Sequence, residues 1–229
     1  MASQDRAVVV SLGGSTIVPE KIDVRFLRAF RKLILKYIAK GTTFVLICGG
    51  GRTCRLYIEA ASKIAKISDE DLDWLGVHST RLNAQLLRTI FRDVASPKII
   101  KNPTKPIDAK KSVIIAAGWK PGFSTDFDAI MLAKNLNVGT VVNLSNVPYV
   151  YDKNPRKYKN AKPIKEMGWS QYTKLVGLKW SPGRNVPFDP VASRLAKKSK
   201  IKVIVMNGKK LGNLRRFLAG KTFTGTVIS

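Results

Sequence analysis

Short apolar runs alternate with longer amphipathic segments along most of the chain. Six runs predict strands, over residues 7–12, 42–48, 112–117, 140–145, 201–208 and 222–229. Between them, apolar residues recur at three- and four-residue spacing, which predicts helices over 24–40, 55–66, 80–95, 129–136 and 188–200. Because strands alternate with helices, we expect a single α/β domain whose mainly parallel sheet is covered on both faces.

Two of these helices have informative starts. Asp189 followed by Pro190 is a typical N-cap and first helical residue, so a helix is expected to begin there. The acidic stretch SDEDLDWLG, residues 68–76, is expected to precede a helix that begins at Thr80.

Three of the predicted strands end in glycine-rich turns, at 13–15, 49–51 and 118–122. The carboxyl ends of parallel strands meet at one edge of a sheet, where ligands bind in open α/β folds. Glycine lets backbone N–H groups close on an anion, and a following helix N-terminus adds positive charge. Three such turns indicate a ligand with several phosphates. The chain has neither the G-x-x-x-x-G-K-[ST] loop nor the G-x-G-x-x-G fingerprint, so the phosphate site belongs to another family.

The charge is strongly positive: 41 lysines and arginines against 15 aspartates and glutamates give a net charge of +26. Such a surface attracts polyanions. The cations are spread along the chain and form no arginine-rich tail. This leaves two interpretations open, a nucleic-acid binder or an enzyme with anionic substrates.

Composition also excludes several classes of site. Cys48 and Cys54 are too few for a disulfide framework or a zinc site, and we interpret both as structural. His78 is the only histidine, and nothing near it indicates a nucleophile site. No apolar run is long enough for a membrane span, and the N-terminus reads as a strand, so a cytoplasmic location is expected.

Six segments carry a specific resemblance. VSLGGSTIVPE, CGGGRTCRLYIEAA, DWLGVHSTRLNAQLL, AGWKPGFSTDFDAIMLA, SNVPYVYDKNP and FDPVASRLAKK occur in this order and span nearly the whole chain. Together they resemble the amino acid kinase superfamily, and most of all its archaeal-type uridylate (UMP) kinases. The resemblance implies a three-layer α/β/α sandwich, with an acceptor-binding lobe over about 1–137 and an ATP-binding lobe over about 138–229.

The resemblance also implies a reaction and its residues. The reaction moves the γ-phosphoryl group of ATP to UMP, with Mg²⁺ accompanying ATP and no metal site made by the protein alone. Asp126 and Arg55 are implied as catalytic. The implied ATP contacts are Gly14, Ser15, Gly51, Arg55, Ser145, Asn146, Tyr151 and Asn154. The implied UMP contacts are Gly50, Asp73, Trp119, Lys120, Pro121, Gly122, Phe123, Ser124 and Thr125.

The sequence departs from the family pattern at several positions. Pro148 and Tyr149 replace an Asp-Gly pair in the ATP loop, where proline removes an N–H and tyrosine disfavours positive φ. Asn154 replaces an aspartate, and Trp119 replaces a small hydroxyl residue. Residues 181–187, SPGRNVP, also differ from a typical member.

Many members of this superfamily carry a lysine near the first glycine turn, and this turn has none. The resemblance therefore implies that another cation neutralises the transferring phosphoryl group. The sequence leaves Lys120, Arg52 and Arg55 as candidates.

Alternatives to a UMP kinase therefore stay open. One is a kinase for another small acid or phosphate, such as isopentenyl phosphate or carbamate. Isopentenyl phosphate kinases carry a histidine just after their glycine-rich loop, and none stands directly after Gly51 here, which disfavours isopentenyl phosphate. The other is a catalytically weakened relative that binds nucleotide or nucleic acid, which the high charge favours. By resemblance alone, a homo-oligomer is expected, a hexamer built from dimers.

Overall fold

The computed structural model of the chain describes residues 6–108, 110–155, 157–177 and 186–229. In this part the strands are β1 (Arg6–Leu12), β2 (Thr42–Cys48), β3 (Val113–Ala116), β4 (Thr140–Ser145), β5 (Val150–Tyr151), β6 (Pro163–Ile164), β7 (Glu166–Met167), β8 (Lys202–Asn207) and β9 (Thr226–Ile228). The helices are α1 (Gly14–Ile17), α2 (Val24–Ile38), α3 (Gly51–Ile64), α4 (Asp69–Ile90), α5 (Thr125–Asn135), α6 (Trp169–Val176), α7 (Pro190–Lys198) and α8 (Leu211–Leu218).

Seven of the strands form one sheet in the order β3-β2-β1-β4-β8-β9-β7. The first five in this order are parallel, and β9 pairs antiparallel with β8. At the centre, Val10 of β1 lies between Leu46 of β2 and Val142 of β4. β5 and β6 form a separate antiparallel pair. The prediction of a mainly parallel sheet is confirmed.

Helices cover both faces of this sheet and create two apolar cores. On one face α2, α4 and α8 bury a core in which the rings of Phe30 and Phe91 meet edge to face, 6.3 Å apart. On the other face α5, α6 and α7 bury a core around Tyr172 and Phe188, with no side-chain exposure at either. Tyr172 also donates its hydroxyl hydrogen to the Phe188 carbonyl, 2.7 Å away. The fold is the three-layer sandwich that was expected.

The predicted helix starts were right in one case and wrong in another. Asp189 caps α7 by accepting a hydrogen bond from the Ala192 N–H (2.6 Å), and Pro190 is the first helical residue, as predicted. The predicted start at Thr80 is wrong. The helix begins eleven residues earlier because Ser68 caps it by accepting from the Asp71 N–H (3.1 Å), and acidic residues favour the positive N-terminus. Among the described helices, none combines the length and the apolarity that a bilayer crossing requires.

Candidate functional site

The first two glycine turns touch through their backbones at the carboxyl edge of the sheet. Gly13 follows β1 and donates its N–H to the Leu144 carbonyl of β4, 3.1 Å away. A Cβ atom on Gly14 would lie 2.0 Å from the Gly51 nitrogen and 2.6 Å from the Gly49 carbonyl carbon. No side chain fits between these turns. The predicted residues Gly14 and Gly51 are therefore neighbours, although 37 positions of sequence separate them.

The second turn has the backbone conformation of an anion-binding nest. Gly50 is right-handed, with φ −76° and ψ −30°, and Gly51 has a positive φ of 67°. In a right-handed and left-handed pair, successive N–H groups converge on one concave side and bind anions. The turn also forms the N-terminus of α3, whose dipole favours negative charge. This geometry can hold a phosphate group.

The third turn is tied to α4 by three hydrogen bonds. The Gly118 N–H donates to the Thr80 hydroxyl (2.8 Å), and Arg81 donates to the Trp119 carbonyl (2.8 Å). The Gly122 N–H donates to the Asp73 carboxylate, 2.9 Å away. Asp73 thus lies within α4, next to the loop whose residues are implied as UMP contacts together with it. It does not cap a helix.

Aromatic rings dominate the outer part of this loop. The centroid of the Trp119 ring lies 5.0 Å from that of Phe123, which in turn lies 4.7 Å from that of Phe127. The Lys120 ammonium lies 4.5 Å from the Trp119 centroid. The loop, which also includes Pro121, ends at Ser124, the N-cap of α5, and Thr125 begins that helix. Asp126 is the second helical residue, and the helix is capped by Ser124.

Three carboxyl groups gather where α5 and α7 start. Asp126 accepts hydrogen bonds from the Ser11 hydroxyl (3.3 Å) and the Asp189 N–H (3.1 Å). Loss of water contact and the nearby Asp189 charge raise the pKa of Asp126 to about 7. Burial also raises the pKa of Asp128 to about 7, and its Oδ1 has no hydrogen-bond partner. Burial likewise raises the pKa of Asp189. Among the described residues, however, no three such groups form a set that could hold a metal ion.

Five of the eight residues implied as ATP contacts line two adjoining cavities, and Gly14, Gly51 and Arg55 line neither. A cavity of about 370 Å³ brings together Ser145, Asn146, Tyr151 and Asn154, together with Tyr149. A second, of about 240 Å³, brings Ser15 next to Asn146. Asn146 borders both cavities and so connects the cavity of the later positions to Ser15 of the first glycine turn.

The substituted ATP loop has its own geometry. Neither Pro148 nor Tyr149 has a positive φ, and the Tyr149 and Tyr151 rings meet edge to face, 6.4 Å apart. The next residue, Val150, donates its N–H to the Thr226 hydroxyl (2.8 Å), which anchors the loop to β9. The loop therefore avoids the glycine conformation. Of the divergent segment 181–187, residues 181–185 lie outside the described residues.

The three candidate cations differ in their partners. Arg55 donates to the Pro19 carbonyl (3.4 Å), and the Arg52 Nε lies 3.4 Å from the Glu20 carboxylate. Lys120 lies over aromatic rings instead. Sequence reasoning missed Lys209, which lines the cavity next to Ser15 and follows β8 at the same sheet edge. The glycine turn of NGKK after a buried strand was the available signal.

A mainly parallel sheet in which β1, β2 and β3 are each followed by a glycine turn at one edge defines an α/β protein of the kind that binds its ligands at that edge. The chain belongs to the amino acid kinase family, whose sequence model matches residues 6–207.

The chain is similar to curated relatives and to a solved structure over nearly its full length. The uridylate kinase of Thermoplasma volcanium is 33% identical over 98% of both chains. That of Pyrococcus abyssi is 32% identical over 96% of this chain and 98% of its own. The crystal structure of uridylate kinase from Archaeoglobus fulgidus superposes with a TM-score of 0.82 at 29% identity, covering 97% of this chain and 99% of that one.

Proposed function

We propose that the chain is a UMP kinase that transfers the γ-phosphoryl group of ATP to the phosphate of UMP, giving UDP and ADP. Relatives named uridylate kinase match 98% and 96% of the chain. The observation that carries the proposal is the backbone contact between Gly14 and Gly51. Two phosphate-binding turns in contact would hold a donor and an acceptor phosphate close enough for direct transfer.

The two substrates would approach this contact from opposite sides. ATP would lie against Gly14, Ser15, Gly51 and Arg55, with its nucleoside in the cavity formed by Ser145, Asn146, Tyr151 and Asn154. UMP would place its phosphate on Gly50 and its ribose near Asp73, enclosed by the loop from Trp119 to Thr125. The acceptor lobe would thus span about 1–137 and the ATP lobe about 138–229.

The transfer step needs alignment and neutralisation of charge. An oxygen of the UMP phosphate would attack the γ-phosphorus, while the bond to the bridging oxygen breaks and its electron pair leaves with ADP. The nest N–H groups, the α3 N-terminus and Arg55 would stabilise the charge that develops on the transferring group.

Mg²⁺ would enter the site together with ATP and meet the Asp126 carboxyl group there. Oxygen donors suit this ion, and burial leaves Asp126 with a raised pKa and no cation partner. Among the described residues, no three histidine, cysteine or acidic side chains form a metal cluster, so the ATP phosphates would supply most ligands. Asp126 would hold the ion, and the ion would neutralise phosphate charge.

Release of ADP from MgATP tests the reaction directly. The purified protein is assayed with UMP, CMP, AMP, dUMP, dTMP and no acceptor. We expect turnover with UMP well above the blank. Turnover with another acceptor alone would contradict UMP as substrate and implicate Trp119, the unusual residue of the acceptor loop. No turnover from folded protein would overturn the kinase proposal.

A second candidate is a nucleic-acid-binding relative without kinase activity. The charge favours it, since residues 190–229 contain many lysines and arginines but no aspartate or glutamate. In that case, RNA affinity would fall steeply with salt while UMP turnover was absent. Salt-independent or undetectable RNA binding would exclude it.

We also propose a homo-oligomer in the cytoplasm. α3 has no buried residue, and its Tyr57 and Ile64 side chains are 62% and 85% exposed. A helix of this kind gains stability by packing against another surface. Ile64→Asp should shift the sedimentation coefficient towards that of the monomer, and an unchanged value would contradict this use of α3.

A further inference from the structure

Asn83 is a buried polar residue of α4 that the reaction described above does not use. Only 3% of it is exposed. Its side-chain amide donates to two consecutive carbonyls of the second glycine turn, that of Gly49 at 2.7 Å and that of Gly50 at 3.1 Å. A single side chain therefore controls the orientation of two adjacent peptide groups.

The orientation of those peptide groups decides where their N–H groups point. In a planar trans peptide, the carbonyl and the following N–H point in opposite directions. When Asn83 holds the Gly49 and Gly50 carbonyls towards α4, the N–H groups of Gly50 and Gly51 must point away from α4. These are two of the three N–H groups of the nest; the third, that of Arg52, donates to the Val18 carbonyl at 2.9 Å.

Glycine makes this control necessary. The pair Gly50 and Gly51 can rotate more freely than any other residues, and a rotated peptide would turn a carbonyl oxygen towards the anion. Gly51 holds a positive φ of 67°. Two hydrogen bonds from one rigid, buried donor restrict this freedom before the ligand arrives, which reduces the ordering that binding must otherwise impose.

The same helix also holds the acceptor loop. Thr80, Arg81 and Asp73 bond the backbone of Gly118, Trp119 and Gly122, respectively. About 15 Å of α4 separates Asp73 from Asn83, at 1.5 Å rise per residue. α4 thus connects the nest to the acceptor loop, and Asn83 forms the nest end of this connection.

We propose that Asn83 is a positioning residue for phosphoryl transfer. It holds the nest N–H groups so that they point towards the bound phosphate groups, and it does not itself contact the phosphates. The proposed effect of Asn83 on kcat rests on the proposed function of the protein. The proposed effect of Asn83 on phosphate affinity rests on the nest alone. It therefore applies to any chain of phosphates that reaches this turn.

The experiment compares Asn83→Ala and Asn83→Asp with Asn135→Ala. Asn135, at the end of α5, also donates its side-chain amide to two loop carbonyls, those of Pro103 and Lys105, but on a different loop. It controls for the general loss of a loop-holding asparagine. Binding of UMP and of inorganic tripolyphosphate is measured by titration calorimetry, and kcat and KM are measured with MgATP. Thermal unfolding shows whether each variant is folded.

For folded Asn83 variants, we expect affinity for both probes to fall about 10- to 100-fold, the range for one or two lost charge-assisted hydrogen bonds. We also expect kcat to fall, with Asn83→Asp the weaker enzyme because its carboxylate repels both carbonyls. Asn135→Ala should bind as the wild type does. Should Asn83→Ala not fold, Asn83→Ser, which retains one donor, should show an intermediate loss of affinity.

The outcomes separate the two proposals. Wild-type affinity and kcat in a folded Asn83→Ala variant would overturn the positioning role while the kinase remained. Asn83-dependent tripolyphosphate binding without any UMP turnover would support the role and overturn the kinase. Failure of the wild type to bind either probe would overturn both.

Discussion

At the scale of single residues, Asp128 shows how burial changes a carboxyl group. None of its surface is exposed, and its Oδ2 accepts the Trp119 N–H at 3.0 Å while its Oδ1 has no partner. Burying a charged carboxylate is costly when one of its two oxygens accepts no hydrogen bond. This cost is why its pKa rises to about 7. The proton that it retains also bears on folding.

This pKa predicts how stability depends on pH. The folded pKa is about 7 against 3.8 for the free group, so the native state binds a proton that the unfolded chain has lost over this window. Stability from this group is complete below about pH 4 and is lost as the pH rises through 7. The Asp128→Asn variant cannot ionise at this position. Between pH 5 and 8, its free energy of unfolding should therefore fall by about 2 kcal/mol less than that of the wild type.

Urea unfolding at several pH values measures this difference. Asp93→Asn is the control, because the Asp93 side chain is 79% exposed and should leave the pH dependence of the free energy of unfolding as in the wild type. Parallel curves for wild type and Asp128→Asn would show that Asp128 is ionised in the native protein at pH 5.

At the scale of elements, the contact between the turns of β1 and β2 leaves no room for a side chain. Gly14→Ala would place its Cβ 2.0 Å from backbone nitrogen, so the turns must separate. We expect kcat/KM to fall by more than about 100-fold, since misplacement of about 1 Å has such an effect on transfer.

Gly212→Ala is the matched control for Gly14→Ala. Gly212 is also helical, in α8, but apart from its chain neighbours and the backbone of its own helix no described heavy atom lies within 4 Å of its added Cβ. The substitution should keep full activity and stabilise the protein by about 0.5–1 kcal/mol. Equal activity in both alanine variants would refute the close contact between the turns.

The elements with strong local signals could be predicted from the sequence. The strands that precede the glycine turns could be predicted because buried parallel strands are continuous apolar runs. The start of α7 could be predicted because it has the favoured Asp-Pro pair. The start of α4 was missed although Ser68 and three acidic residues form a typical N-terminal signal. Four consecutive polar residues obscured the apolar periodicity there.

Other features depend on contacts between distant segments. α6 and α8 have only eight residues each, and β5, β6 and β7 have two each, too short for a periodic pattern. The glycines of the candidate site could be proposed because they follow strands. The placement of Asn83 could not, because it depends on how α4 packs against a turn 33 positions away.

At the scale of the whole molecule, the net charge of +26 opposes compactness. In the described part of the chain only three ion pairs occur: Arg31–Asp93, Arg52–Glu20 and Lys63–Glu59. Most cations therefore repel one another without local compensation. On α2, Arg28, Lys32 and Lys36 form an exposed row of this kind.

Salt should therefore stabilise the protein. Raising NaCl from 0.05 M to 0.5 M shortens the Debye length below about 10 Å and screens repulsion between exposed charges. We expect the free energy of unfolding to rise by about 1 kcal/mol, and by less in a variant that combines Arg28→Gln, Lys32→Gln and Lys36→Gln. Urea unfolding at fixed protein concentration measures it, with choline chloride replacing NaCl to exclude a sodium effect. A flat or falling salt dependence would contradict net repulsion between the exposed cations of the native state.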